Sequence, residues 1–126
     1  MQTKQTNTIQ NTKALDIELL YREVFVFILD VIEFTEILKQ NKKDVIAIEL
    51  LQTVTLWGES INEARNIKEL PTLKSKIENA LLEADKIKYW LNLCKYSNCC
   101  PTSATLLNKL DRLTEMMKST KYKLIN

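Results

Sequence analysis

Apolar residues return along this chain at intervals of three and four, the spacing that lines one face of an α-helix. Ile17, Leu20, Val24, Phe27, Val31, Phe34 and Leu38 make the first such stripe and predict a helix over residues 15–39. Asp16, Glu18 and Glu23 lie near its start, where negative charge suits the helix dipole. Gln40-Asn41 interrupts the pattern, and Asn41 is a candidate cap for a second helix over residues 42–67. That helix carries Ala47, Leu50, Leu51, Val54, Trp57, Ile61 and Ala64. Gly58 inside it costs about 1 kcal/mol against Ala in helix propensity and fits a place where two backbones approach closely.

Pro71 opens a third helix, as Pro prefers a first helical turn, and the pattern carries it to residue 96. Leu73, Ile77, Ala80, Ala84, Ile87, Leu91 and Cys94 form its core stripe. At about 100° per residue, a second set (Leu82, Tyr89, Leu93 and Tyr96) falls on the opposite side. A helix that is apolar on two sides wants cover on two sides: the bundle on one, a neighbouring subunit on the other. These four residues are therefore candidate oligomer contacts.

Ser97-Asn98-Cys99-Cys100-Pro101 is a polar, Pro-containing break. A fourth helix starting near Pro101 to Ser103 presents Leu106, Leu107, Leu110, Leu113, Met116 and Met117. Connections this short make successive helices antiparallel neighbours. The expected fold is all-α: an up-down-up-down four-helix bundle, one domain over residues 14–126. Residues 1–13 are polar and lack an apolar run, which reads as a frayed, disordered tail.

Composition narrows the chemistry. One Gly and two Pro in 126 residues leave few sheet corners or hairpins. The chain has no His, which removes the commonest general base and the commonest metal ligand. Three Cys, at 94, 99 and 100, are an odd number in a C-x4-C-C spacing, a poor match to a four-ligand zinc site. Reduced thiols in the cytoplasm are the simpler reading, with Cys94 a core residue. The carboxylates Glu63, Glu78, Glu83 and Asp85 lack the His that a di-iron bundle needs. Glu83 is also spaced to pair locally with Lys86. No enzyme, metal or cofactor is expected. The apolar run Val24-Phe25-Val26-Phe27-Ile28-Leu29 is far short of the roughly 20 residues of a membrane span, so a soluble, cytoplasmic protein is expected.

Net charge is +2 but uneven. Residues 1–67 hold seven Lys/Arg and ten Asp/Glu, whereas residues 68–126 hold eleven and six. The basic half makes Lys68, Lys74, Lys76, Lys86, Lys88 and Lys95 candidates for phosphate contact, with Lys118, Lys121 and Lys123 behind them. Tyr89, Trp90 and Tyr96 lie among these cations and could stack on bases. Helical spacing alone also explains them as seam or subunit contacts.

Leu50-Leu51, then Gly58-Glu59-Ser60-Ile61-Asn62-Glu63-Ala64, then Leu73, Lys76, Glu83-Ala84 and Tyr89-Trp90-Leu91 resemble the four-helix bundle family of 23S rRNA intervening-sequence proteins. The resemblance extends through the last helix. It implies a non-catalytic homo-oligomer, a pentamer as in related accessory proteins of diversity-generating retroelements, with RNA or DNA and a protein partner as ligands.

Overall fold

A computed structural model describes residues 2–98 and 100–124, with side chains from Ala14 onward. Four helices account for it: α1 (Gln2–Gln40), α2 (Asp44–Ala64), α3 (Leu70–Tyr96) and α4 (Ala104–Lys123). There is no strand among the described residues. The fold is thus an all-α four-helix bundle. Each helix packs against two others, in the pairs α1–α2, α2–α3, α3–α4 and α1–α4.

Direction follows from the side chains that meet. Along α1 and α4, Asp16 pairs with Lys123 and Asp30 with Lys109. Along α1 and α2, Glu18 pairs with Arg65 and Phe27 meets Trp57. Ser60 bonds Glu83 and Glu63 bonds Lys76 across α2–α3. Across α3–α4, Glu78 pairs with Lys121 and Lys88 with Asp111. In every pair one number rises as the other falls, so neighbouring helices are antiparallel.

The core contains the predicted stripes. Ile17 to Leu38 on α1, Ala47 to Ala64 on α2, Leu73 to Cys94 on α3 and Leu106 to Met117 on α4 are buried together. Leu51 and Met116 are only half-buried at its edge. Two close contacts join α1 and α2. Trp57, fully buried, receives the edge of Phe27 at 5.6 Å between ring centroids. One residue on, a Cβ at Gly58 would stand 2.6 Å from Cδ1 of Ile28, so the absent side chain is where Ile28 settles.

Three local expectations are corrected. First, α1 is bounded at Gln2 rather than near residue 15, its first turns drawn from the polar segment. Its composition is low in apolar residues, which hides it from a periodicity test, yet it holds no Gly or Pro to stop a helix. Second, Asn41 does not cap α2. Its amide donates back to the Ile37 carbonyl at 2.8 Å, while Lys42 adopts a positive φ of 61°. Lys43 N–H then donates to Leu38 O at 2.8 Å and Lys42 N–H to Lys39 O at 3.0 Å. This is a Schellman ending with Lys where Gly is usual. Third, α2 is shorter than 42–67 at both ends, stopping at Ala64. Pro71 does lie in the first turn of α3, and Ser103 precedes α4. The Ser103 hydroxyl, buried, donates to the Leu91 carbonyl at 2.6 Å and fixes the entry of α4 against α3.

The indole N–H of Trp57 is buried without an acceptor. An orphaned donor of this kind costs about 1–3 kcal/mol. Trp57→Phe removes ring volume and the orphan together, so it is expected to destabilise by less than about 1.5 kcal/mol, whereas Trp57→Ala costs about 3–5 kcal/mol. Urea unfolding of the two variants measures the difference.

Candidate functional site

The α3 helix carries both sets of candidate residues, and its register separates them. Leu82, Tyr89, Leu93 and Tyr96 lie opposite the core stripe, with 62%, 58%, 40% and 78% of their surface exposed. This second stripe is an uncovered apolar face, as its spacing predicts.

The candidate lysines do not gather on one patch. Lys76 turns toward α2, where its ammonium bonds Glu63 at 2.7 Å. Lys88 turns toward α4 and pairs with Asp111 at 3.4 Å. At about 100° per residue, Lys74 and Lys95 fall on the same flank as Lys88, and Lys86 faces outward beside Leu82 and Tyr89. Lys95 lies over the Tyr96 ring at 5.4 Å from its centroid. Lys68 sits in the α2–α3 connection, exposed. On α4, Lys118 pairs with Glu115, Lys121 with Glu78 and Lys123 with Asp16. Among the described residues, Arg22, Lys42, Lys43, Lys68, Lys74, Lys86, Lys95 and Arg112 have no carboxylate within ion-pair distance.

The carboxylates are likewise dispersed. Glu63 and Glu78 are spent on Lys76 and Lys121. Glu83 accepts from the Ser60 hydroxyl at 2.7 Å instead of pairing with Lys86. Among the described residues no group of three or more His, Cys, Asp or Glu is arranged to hold a metal ion. No helix there is long and apolar enough to cross a membrane.

Charge separates by side of the bundle. Helices α1 and α2 with their connections, residues 2–67, hold seven cations against ten carboxylates. Residues 68–124 hold eleven against six. The two sides therefore carry −3 and +5. Three pairs between them (Asp16–Lys123, Asp30–Lys109 and Glu63–Lys76) meet at the seams.

Two features escaped the sequence reading. The first is the outer surface of α1, where Leu15, Leu19, Phe25, Val26, Leu29, Ile32 and Ile37 are all exposed, joined on α2 by Val45, Ile48 and Leu56. The run Val24 to Leu29 signals it, since six consecutive apolar residues cannot all face one core. The second is Arg65. Its guanidinium forks onto Glu18 with two bonds of 3.0 Å and lies 3.9 Å over the Tyr21 ring. The bond to Glu18 pushes the Arg65 pKa above its ordinary value, against a smaller opposing effect of burial.

A groove of about 230 Å³ follows the α1–α4 seam, lined by Glu23, Val26, Asp30, Lys109, Arg112 and Met116. Its charges are of both signs and it holds no nucleophile beside a base. Compared with family models, curated proteins and solved structures, the chain finds no match.

Cys94 is buried at the end of α3, and Cys100 packs against the same part of the core. Cys99 lies outside the described residues. Burial pushes the Cys94 thiol up from 9.0 to about 12, with Cys100 adding to the rise. Only the thiolate reacts quickly with alkylating agents. In a Cys99→Ser/Cys100→Ser variant, Cys94 is expected to resist maleimide at pH 8 until the protein unfolds. Because the folded thiol keeps its proton where the unfolded one loses it, Cys94 stabilises fully below pH 9.0, and that contribution falls as pH rises toward about 12. Unfolding free energy measured across this range should decline less steeply in Cys94→Ala.

Proposed function

We propose that this protein is a non-catalytic, oligomeric helical bundle that binds RNA or DNA through the positive α3–α4 side. The observation that carries the reading is the separation of charge, +5 on that side against −3 on the other. A net charge of +2 gives little attraction to a polyanion, but a one-sided distribution presents the positive surface and turns the negative one away. Lys68, Lys74, Lys86 and Lys95 supply cations free of carboxylate partners, whereas Lys76 and Lys88 are paired with Glu63 and Asp111. Such side chains grip phosphates and are tolerant of sequence. The resemblance to 23S rRNA intervening-sequence proteins supports the same reading and suggests a pentamer acting in the cytoplasm.

A second reading, a protein-interaction scaffold or accessory subunit without direct nucleic-acid binding, is favoured by the exposed apolar surface of α1. Pull-down of a protein partner without nucleic acid is the result that selects it.

Filter binding of RNA and DNA at two salt concentrations tests the first. Affinity is expected to fall steeply with salt. Lys68→Glu/Lys74→Glu/Lys86→Glu should weaken binding and flatten the salt slope by about 0.7–0.9 for each phosphate that is no longer neutralised. No retention of either nucleic acid at micromolar protein would overturn the proposal.

A further inference from the structure

The end of α3 brings together two thiols that the basic surface leaves unused. Cys94 is buried, the last member of the α3 core stripe. At Ser97 the backbone leaves the helix for an extended conformation, with φ −91° and ψ 125°. Two successive turns then bring the chain back. Ser97 N–H donates to the Cys94 carbonyl at 3.4 Å, and Cys100 N–H donates to the Ser97 carbonyl at 3.3 Å. They carry Cys100 round until it is half-buried and packed against the buried cluster to which Cys94 belongs. The two side chains meet there, the Cys94 S–H donating to the Cys100 sulfur. Both are free thiols.

We propose that Cys94 and Cys100 are a peroxide-sensitive pair, which closes to an intramolecular disulfide and locks the α3–α4 connection to the end of α3. Their placement assigns the roles. Cys100 is the thiol that a small oxidant reaches, whereas Cys94 is enclosed and waits beside it, the arrangement of an attacking and a resolving cysteine. The Cys100 thiolate attacks one oxygen of hydrogen peroxide. An S–O bond forms, the O–O bond breaks, and the departing hydroxide takes up the proton released by Cys100 and leaves as water. The Cys94 sulfur then attacks the Cys100 sulfenic sulfur. The S–S bond forms, the S–O bond breaks, and hydroxide leaves with the Cys94 proton as a second water. The two sulfurs give up two electrons and the peroxide takes them. A dithiol reductant reverses the change by thiol–disulfide exchange. The bridge spans residues 94–100 and removes freedom from the unfolded chain. Without it, the two turn bonds that hold this segment are longer than the roughly 3.2 Å upper end of ordinary N–H···O bonds.

Peroxide treatment of the native protein, followed by tryptic mapping without reductant, tests the pair, because Lys95 lies between the two thiols. Cleavage leaves Cys94 in the peptide 89–95 and both Cys99 and Cys100 in the peptide 96–109. In the wild type and in Cys99→Ser, mass spectrometry should find these two peptides joined and lighter than their sum by two hydrogens. Dithiothreitol should part them, and Cys100→Ser should not form the joined species. The oxidised protein is expected to melt at a higher temperature than the reduced one. Cys100 recovered from Cys99→Ser as sulfinic acid beside a free Cys94 overturns the proposal. A wild-type bridge confined to Cys99 and Cys100, which leaves the two peptides apart, overturns it too. So does a bridge between chains, seen as a doubled mass on a gel without reductant. A bridged form that melts no higher than the reduced one overturns the locking role.

Discussion

Connections of three, five and seven residues join the four helices, and this shortness governs the rest. A helix that turns back within three to seven residues is laid beside its predecessor. Repeated three times, the restriction lays α1 beside α2 and α3 beside α4, with the apolar stripes turned inward. The first half of the sequence becomes one side of the bundle and the second half the other. A charge asymmetry that looks like a property of composition becomes a difference between two surfaces. Neither the acidic side nor the basic side requires any special fold to create it.

Most of the core was legible in the sequence because burial and periodicity are the same physical fact seen twice. Leu20, Leu50, Ile77 and Leu110 are fully or almost fully enclosed, and each sits in a stripe spaced by three and four. The exposed set on α3 was legible for the same reason, as a second stripe half a turn away. Pattern reading selects the best face of a helix and passes over what remains, which is why the apolar exterior of α1 was not found. Phe25 and Leu29 are as apolar as Val24 and Phe27, and only the position of α2 and α4 decides which pair is covered.

The fate of individual charges was less legible. Lys76 and Lys88 resemble Lys74 and Lys86 in sequence, yet the first two meet carboxylates on other helices and the second two do not. Such partners are set by interhelical register, which no local pattern carries. Asn41 shows the same limit at an end. Its type suits an N-cap, but the left-handed turn at Lys42 directs it back onto the helix it follows. Glu83, spaced to pair with Lys86, is drawn instead to a hydroxyl on α2.

The α1–α4 seam differs from the other three in what it joins. Three seams are closed by hairpins between consecutive helices, whereas Lys123 reaches Asp16 across 107 positions. Closing a loop of that length costs more chain entropy than closing a turn. The bonds that hold it include Asp16–Lys123 and Asp30–Lys109, both partly open to water, where ion pairs contribute little. Parting α1 from α4 leaves every hairpin intact and unrolls the square into a row. Among large fluctuations of this bundle, that unrolling disturbs the least local packing, and hydrogen exchange along the seam is its natural signature.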